Sequence, residues 1–273
     1  ADRFDGAGSF GINSSLGNQW RHRIADLRFD IADAASTIDA DLRPFIRLDV
    51  ELSTVDTVPA GATPALLDSN GNDVGAIIAQ SNIPMADLEA YLQSVDPDAY
   101  TEYANTGVWP AEVQIPKDPS VLAGNSIDWG QVPQGGYVLD AAGQPIKAPH
   151  VPQLGDVLDR YGPPGGRYTS PVPSTGPYDY SQRSLPYVED PSQYHQYEVI
   201  GDFSNLRAAY DACSDVNVTN AIDGLIRRGY FDWGRLAAIG DIAPGFNDPG
   251  MGRQIELPLS VDLLIGLGVL REI

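Results

Sequence analysis

The sequence predicts an α+β protein. An α+β N-terminal region precedes a C-terminal domain built on a small mixed or antiparallel β-sheet with a helical insertion. Three observations carry this expectation. A helical apolar stripe lies near the N-terminus, and short strand-like segments punctuated by Gly and Pro dominate after Pro149. One helical pattern, over about 205–236, interrupts those segments.

Taken in order, the first element is a long helix over residues 18–43. Ile24, Leu27, Ile31, Ala34 and Ile38 recur three and four residues apart, and Pro44 ends the run. Its stripe packs on its own domain or pairs with another helix, which keeps a homodimer open. "FIRLDVELSTV" alternates as a strand, and "ALLDSNGNDVGAII" reads as two short strands around an Asn-Gly turn. Asn82 caps a short helix, with Pro84 near its first position and Met85, Leu88 and Leu92 on one face.

From Asp98 to Pro133 the chain is rich in Pro, Gly, Asn and aromatics, which reads as a linker or docking strap. A soft boundary near Gly107 divides the chain into a region 1–106 of unassigned role, a strap 107–133 and a domain 134–273. "GYVLDAAGQPIKAP" is a hairpin turning at Ala142-Gly143. "DVLDRYG", "GRYTSP", "QYEVIGDF" and "RQIELPLS" read as strands, with Ser204 and Thr219 capping two helices of the insertion.

Composition narrows the function. With 273 residues and 42% apolar content the chain can bury a core, and a formal charge of −20 argues against nucleic acid or an anionic membrane as partner. Cys213 is the lone cysteine, and His22, His150 and His195 lack metal-ligand spacing, so no metal is expected. The apolar tail "VDLLIGLGVL" is too short to insert in a membrane. The chain begins at Ala1 without a signal peptide, which reads as a processed fragment.

The segment "LDRYGPPGGRYTSP" holds Arg160, Arg167 and Tyr168 among glycines and prolines, and Arg183 and Arg253 lie in similar surroundings. Guanidinium forks match phosphate oxygens in pairs, glycines admit a ligand close to the backbone, and tyrosines stack on flat rings. A dinucleotide satisfies all three. Neither GxxxxGK[ST] nor a strand-to-helix GxGxxG is present.

Further on, "QRSLP", "YHQYEV", "IAPGF", a Gly-x-Gly-x-Gln turn and the closing "LPLSVDLLIGLGVLREI" follow "GYVLDAAGQPI", "VLDRYG" and "YTSP" in order. Together they resemble the NAD glycohydrolase domain of the tuberculosis necrotizing toxin family, also seen in fungal surface NADases, over roughly Gly135 to Ile273. The resemblance places the family's essential arginine on Arg160, its ring-contacting tyrosine on Tyr168 and its histidine on His195. It places the catalytic glutamine on Gln254 and a further ligand contact on Arg183. It implies hydrolysis of NAD+, with NADP+ as a second candidate, by a secreted or cell-surface toxin. NAD+ is then substrate, no cofactor is needed, and an immunity protein is an expected partner. Two departures stand out. The family's Gln-Pro-Gly-Gly-Gly-x-Gln turn reads "DPGMGRQ" here, and the helical stretch Leu206–Leu236 exceeds the compact family domain.

The chemistry can also be argued directly. Nicotinamide leaves as a neutral ring from a cationic one, so no general acid is needed at the departing nitrogen. The barrier lies in an oxocarbenium-like ribosyl centre that oxygens stabilise and water traps. In this reading Gln254 holds the ribose hydroxyls or the water, and Arg160 and Arg183 fix the diphosphate. Tyr168 or Phe246 stacks near the nicotinamide, and His195 positions ribose or phosphate. Glu256, on the same strand face as Gln254, keeps an ADP-ribosyltransferase toxin open. The sequons at Asn13 and Asn217, with the long helix and the acidity, keep open a non-catalytic surface or interaction module.

Overall fold

The computed structural model describes residues 66–273. The helix expected over 18–43, the strand "FIRLDVELSTV", His22 and Asn13 lie outside them.

The Asn-Gly segment turns as expected. Asp68 accepts hydrogen bonds from the backbones of Asn70 and Asn72, Gly71 takes φ +85°, and Leu67 pairs with Asp73. The second expected strand is instead a helical turn, α1 (Gly75–Ile78). The Val74 and Gly75 amides both donate to Leu66 O, which ends the pairing and curls the chain. Helix α2 (Met85–Val95) starts at Pro84, not Asn82, which sits at φ +53° outside the helix. Leu88 and Leu92 are buried on its inner face, whereas Met85 is exposed. Asp96 ends α2 and caps α3 (Pro97–Thr106), its carboxylate accepting from Ala99 N. Gly107 closes α3 in a left-handed cap.

A two-stranded ribbon follows, β1 (Leu122–Ala123) and β2 (Ser126–Ile127). Residues 107–133, expected as a linker or strap, carry Trp109, Val113, Ile115, Val121 and Ile127 into a core cluster with Leu88, Leu92, Val188 and Phe246. Trp109 donates its indole N–H to Val113 O, satisfying a buried donor.

The hairpin at 138–146 forms, with Asp140 bonding Ala142 and Gln144 backbones around Gly143. It leads into a seven-stranded antiparallel sheet of β3 (Lys147–His150), β4 (Val157–Tyr161), β5 (Tyr168–Pro171), β6 (Tyr194–Val199), β7 (Ala237–Asp241), β8 (Arg253–Glu256) and β9 (Leu270–Glu272). The spatial order is β3-β7-β8-β5-β4-β6-β9. This is the antiparallel alternative of the predicted α+β class. Strands β7 and β9 escaped the sequence reading. "AAIGD" lacks the β-branched and aromatic content that marks strands, and "LRE" is too short to alternate.

The helical insertion contains α4 (Leu206–Ala212) and α5 (Val216–Arg227). Their caps are Asn205 and Asp215 rather than Ser204 and Thr219, because those side chains accept from the Ala208 and Asn217 amides. Together with α6 (Val261–Gly266) they supply a second core cluster. Phe203, Leu206, Ile222 and Leu264 pack there with Leu158, Tyr197, Val199, Ile255 and Leu257 of the sheet region. Burial of this kind contributes about 1.5–3 kcal/mol per large side chain.

Candidate functional site

Strands β4, β5 and β8 and several loops line a cavity of about 230 Å³. Its lining includes Arg160, Tyr168, Arg183 and Gln254, so four of the six residues singled out from sequence share one space. It also includes Gln114 and Trp129, and none of its lining residues is an Asp or Glu.

Arg160 lies near the end of β4. Its Nε donates to Gly162 O at 3.2 Å and its Nη1 to Tyr168 O at 3.5 Å. A guanidinium carries five N–H groups, so three remain uncommitted among the described residues. No carboxylate pairs with it there, in contrast to the other arginines near the sheet. Desolvation by burial lowers its pKa, although an arginine remains cationic at neutral pH. Gly166 is a close approach, since an added Cβ would lie 2.2 Å from Arg160 Nη1. A side chain at Gly166 would therefore displace the guanidinium from its present position.

Tyr168 begins β5. Burial first, and the charge of Glu256 second, push its hydroxyl up to about 12, so it stays protonated at neutral pH. The hydroxyl lies 3.7 Å from the Cβ position of Gly135. Gln254, on β8, donates its Nε2 to Gly135 O. Gly135 and Gly136 both take φ +72°, and a Cβ on Gly136 would sit 3.4 Å from Gln254 Nε2. Arg160 thus bonds the Tyr168 backbone and Gln254 the Gly135 backbone, with Arg160, Tyr168 and Gln254 lining one cavity.

In the turn that presents Gln254, Met251 and Asp248 each have a defined setting. Met251 adopts φ +75° with its side chain exposed, and Asp248 forms an ion pair with Lys117 at 2.6 Å. The "QRSLP" segment braces the turn. Gly250 N and Gly252 N donate to Ser181 O and Gln182 O, and Ser184 Oγ donates to Ala243 O at 2.7 Å.

Arg183 lines the cavity and is also tied into its wall. Its Nη2 pairs with Asp159 Oδ1 at 2.5 Å, its Nε donates to Tyr178 O, and its guanidinium lies over the Tyr161 ring at 5.0 Å. Its charge is compensated by Asp159 while it lines the cavity. His195 pairs across the sheet with Arg160 in register, but it does not line the cavity; its Nδ1 lies 2.7 Å from Glu272 Oε1. Phe246 is 1% exposed and edge-on to Trp129, so it is core rather than a stacking surface. Gln114 and Trp129 were missed because they lie far from Arg160 in sequence, on a segment with no periodic signal.

Glu256 is outside the lining and tied to Lys147 at 2.6 Å, Arg167, and Arg235 at 3.1 Å. Burial pushes its carboxyl up, but the Lys147 hydrogen bond and the three cations outweigh this and hold it below its ordinary value.

Residues 153–214 match the family described as Tuberculosis necrotizing toxin. Among solved structures, a similar chain is that of tuberculosis necrotizing toxin complexed with its immunity factor. It is 21% identical, covers 51% of this chain and 59% of its own, and has a TM-score of 0.32. The chain therefore spans less than two thirds of that toxin chain. No match was found among the curated proteins. The matched segment contains Arg160, Tyr168, Arg183 and His195, and over it this chain is similar to the tuberculosis necrotizing toxin family.

Proposed function

We propose that the protein is a toxin-like NAD+ glycohydrolase, releasing nicotinamide and ADP-ribose. The observation that carries this reading is a single cavity holding an ion-pair-free arginine and a side-chain amide, with no carboxylate in its lining. The usual glycosidase pair of carboxylates is thus missing from that lining, which suits a substrate whose leaving group is already cationic and needs no acid. Arg160 takes the diphosphate. Tyr168, as a neutral hydroxyl, and the Gln254 amide hold the ribose and the attacking water while positive charge develops at the anomeric carbon. The enclosed volume is below the roughly 300–1,000 Å³ of typical ligand sites, so one half of the dinucleotide enters and the rest lies along the mouth.

The transferase alternative needs a free glutamate, and Glu256 is held by three cations away from the cavity. Action outside the producing cell and neutralisation by an immunity protein belong to this proposal and rest on the family resemblance. No helix among the described residues is long and apolar enough to cross a membrane. The test is nicotinamide release from NAD+ by the purified chain, beside Gln254→Ala. Turnover by the parent and its loss in the variant support the reading. A parent that yields labelled protein bands rather than free ADP-ribose refutes hydrolysis.

A further inference from the structure

The sequence reading assigned the diphosphate to Arg160 and Arg183, and the structure pairs Arg183 with Asp159. The residue that stands beside Arg160 instead is Gln114, which lies outside the matched segment 153–214. Its amide lies 3.4 Å from the Tyr180 hydroxyl, which also reaches Asp190 O at 3.3 Å. Nε2 has no acceptor among the described residues, and it is not among their sealed, unpartnered polar atoms. An added Cβ on Gly162 would lie 2.4 Å from Gln114 Nε2, and Gly162 O is also the acceptor of Arg160 Nε. Gln114 and Arg160, from distant parts of the chain, thus both lie beside Gly162, and both line the cavity.

We infer that Gln114 and Arg160 together form the phosphate-binding end of the site, with Gln114 setting affinity for the diphosphate rather than the rate of bond cleavage. This rests on the NAD+ reading above. An amide N–H beside a guanidinium adds a hydrogen bond to an oxygen that the cation already attracts, at no cost in like-charge repulsion. The segment 107–133 thereby supplies a substrate contact as well as core.

Gln114→Glu and Gln114→Leu test this, read by steady-state NAD+ hydrolysis and by inhibition with inorganic pyrophosphate. Glutamate keeps the size and the Tyr180 contact but sets an anion beside Arg160. The expected result is a KM raised about 10-fold or more in Gln114→Glu, a smaller rise in Gln114→Leu, and kcat within about threefold in both. Pyrophosphate should inhibit the parent and lose potency in parallel with KM. An unchanged KM, a fall in kcat alone, or a parent insensitive to pyrophosphate overturns the assignment while leaving hydrolysis intact. A parent that releases no nicotinamide overturns the underlying reading, and the assignment with it.

Discussion

Arg183 Nη2 lies 2.5 Å from Asp159 Oδ1, with the two side chains 6% and 0% exposed. In the same cavity wall Arg160 has no carboxylate partner among the described residues. The two arginines should therefore fail differently. Arg183→Ala leaves a buried carboxylate uncompensated and should cost about 3–5 kcal/mol of stability. Arg160→Ala should leave stability within about 1 kcal/mol while lowering kcat/KM for NAD+ about 10- to 100-fold. Thermal unfolding beside steady-state kinetics checks both, and equal stability losses would put Arg160 in a structural role.

Gln254 rests its amide on Gly135 O and turns no charge into the core. Gln254→Ala should unfold at nearly the parent temperature and lose roughly 100-fold or more in kcat, as removal of a transition-state donor does. Glu256→Gln should keep kcat within about threefold, since Glu256 lies outside the cavity. A rate loss in Glu256→Gln matching that of Gln254→Ala would restore the carboxylate to the mechanism.

Glu256 also predicts a pH dependence. Its folded pKa is below the ordinary value, so its contribution to stability is present above the unfolded pKa and is lost as pH falls through the folded one. At pH 7 Glu256→Gln should be less stable than the parent by about 1–3 kcal/mol, discounted because its partners are about one-third exposed. That gap should narrow below pH 4.5, the ordinary value, and close once the folded carboxyl is protonated. Denaturant midpoints measured across pH 3–7 decide this, and a gap independent of pH would mean that the ion cluster is not its source.

Met251 holds φ +75° with an exposed side chain, a conformation costing about 1 kcal/mol for a non-glycine residue. Met251→Gly relieves that cost while loosening the unfolded chain by a similar amount. The expected change in unfolding temperature is small and not negative, with hydrolysis retained. A marked loss of stability would show that the Met251 side chain packs against something in the turn's working state.

Much of the fold was legible because strands β4, β5, β6 and β8 and the insertion helices carry local patterns of alternation, capping and punctuation. Where those patterns were weak, the reading slipped. Gly75–Ile78 looked strand-like from composition alone, and the cap of α2 fell two residues from its expected place. The texture of residues 107–133 has no period, so nothing in it announced that Trp109, Val113 and Ile115 are buried.

The sequence by itself determined which groups the protein can bring to an anionic, ring-bearing ligand: guanidiniums, tyrosines, a terminal-region glutamine, and glycines to seat them. It could not say which of those charges are already spent. Asp159 lies 24 residues from Arg183, and Glu256 takes its partners from Lys147, Arg167 and Arg235. Only the folding of the sheet brings such pairs within hydrogen-bond distance. Tertiary structure therefore decided that Arg183 is paired with Asp159 while Arg160 has no carboxylate partner among the described residues, because electrostatic compensation depends on distance in space rather than along the chain.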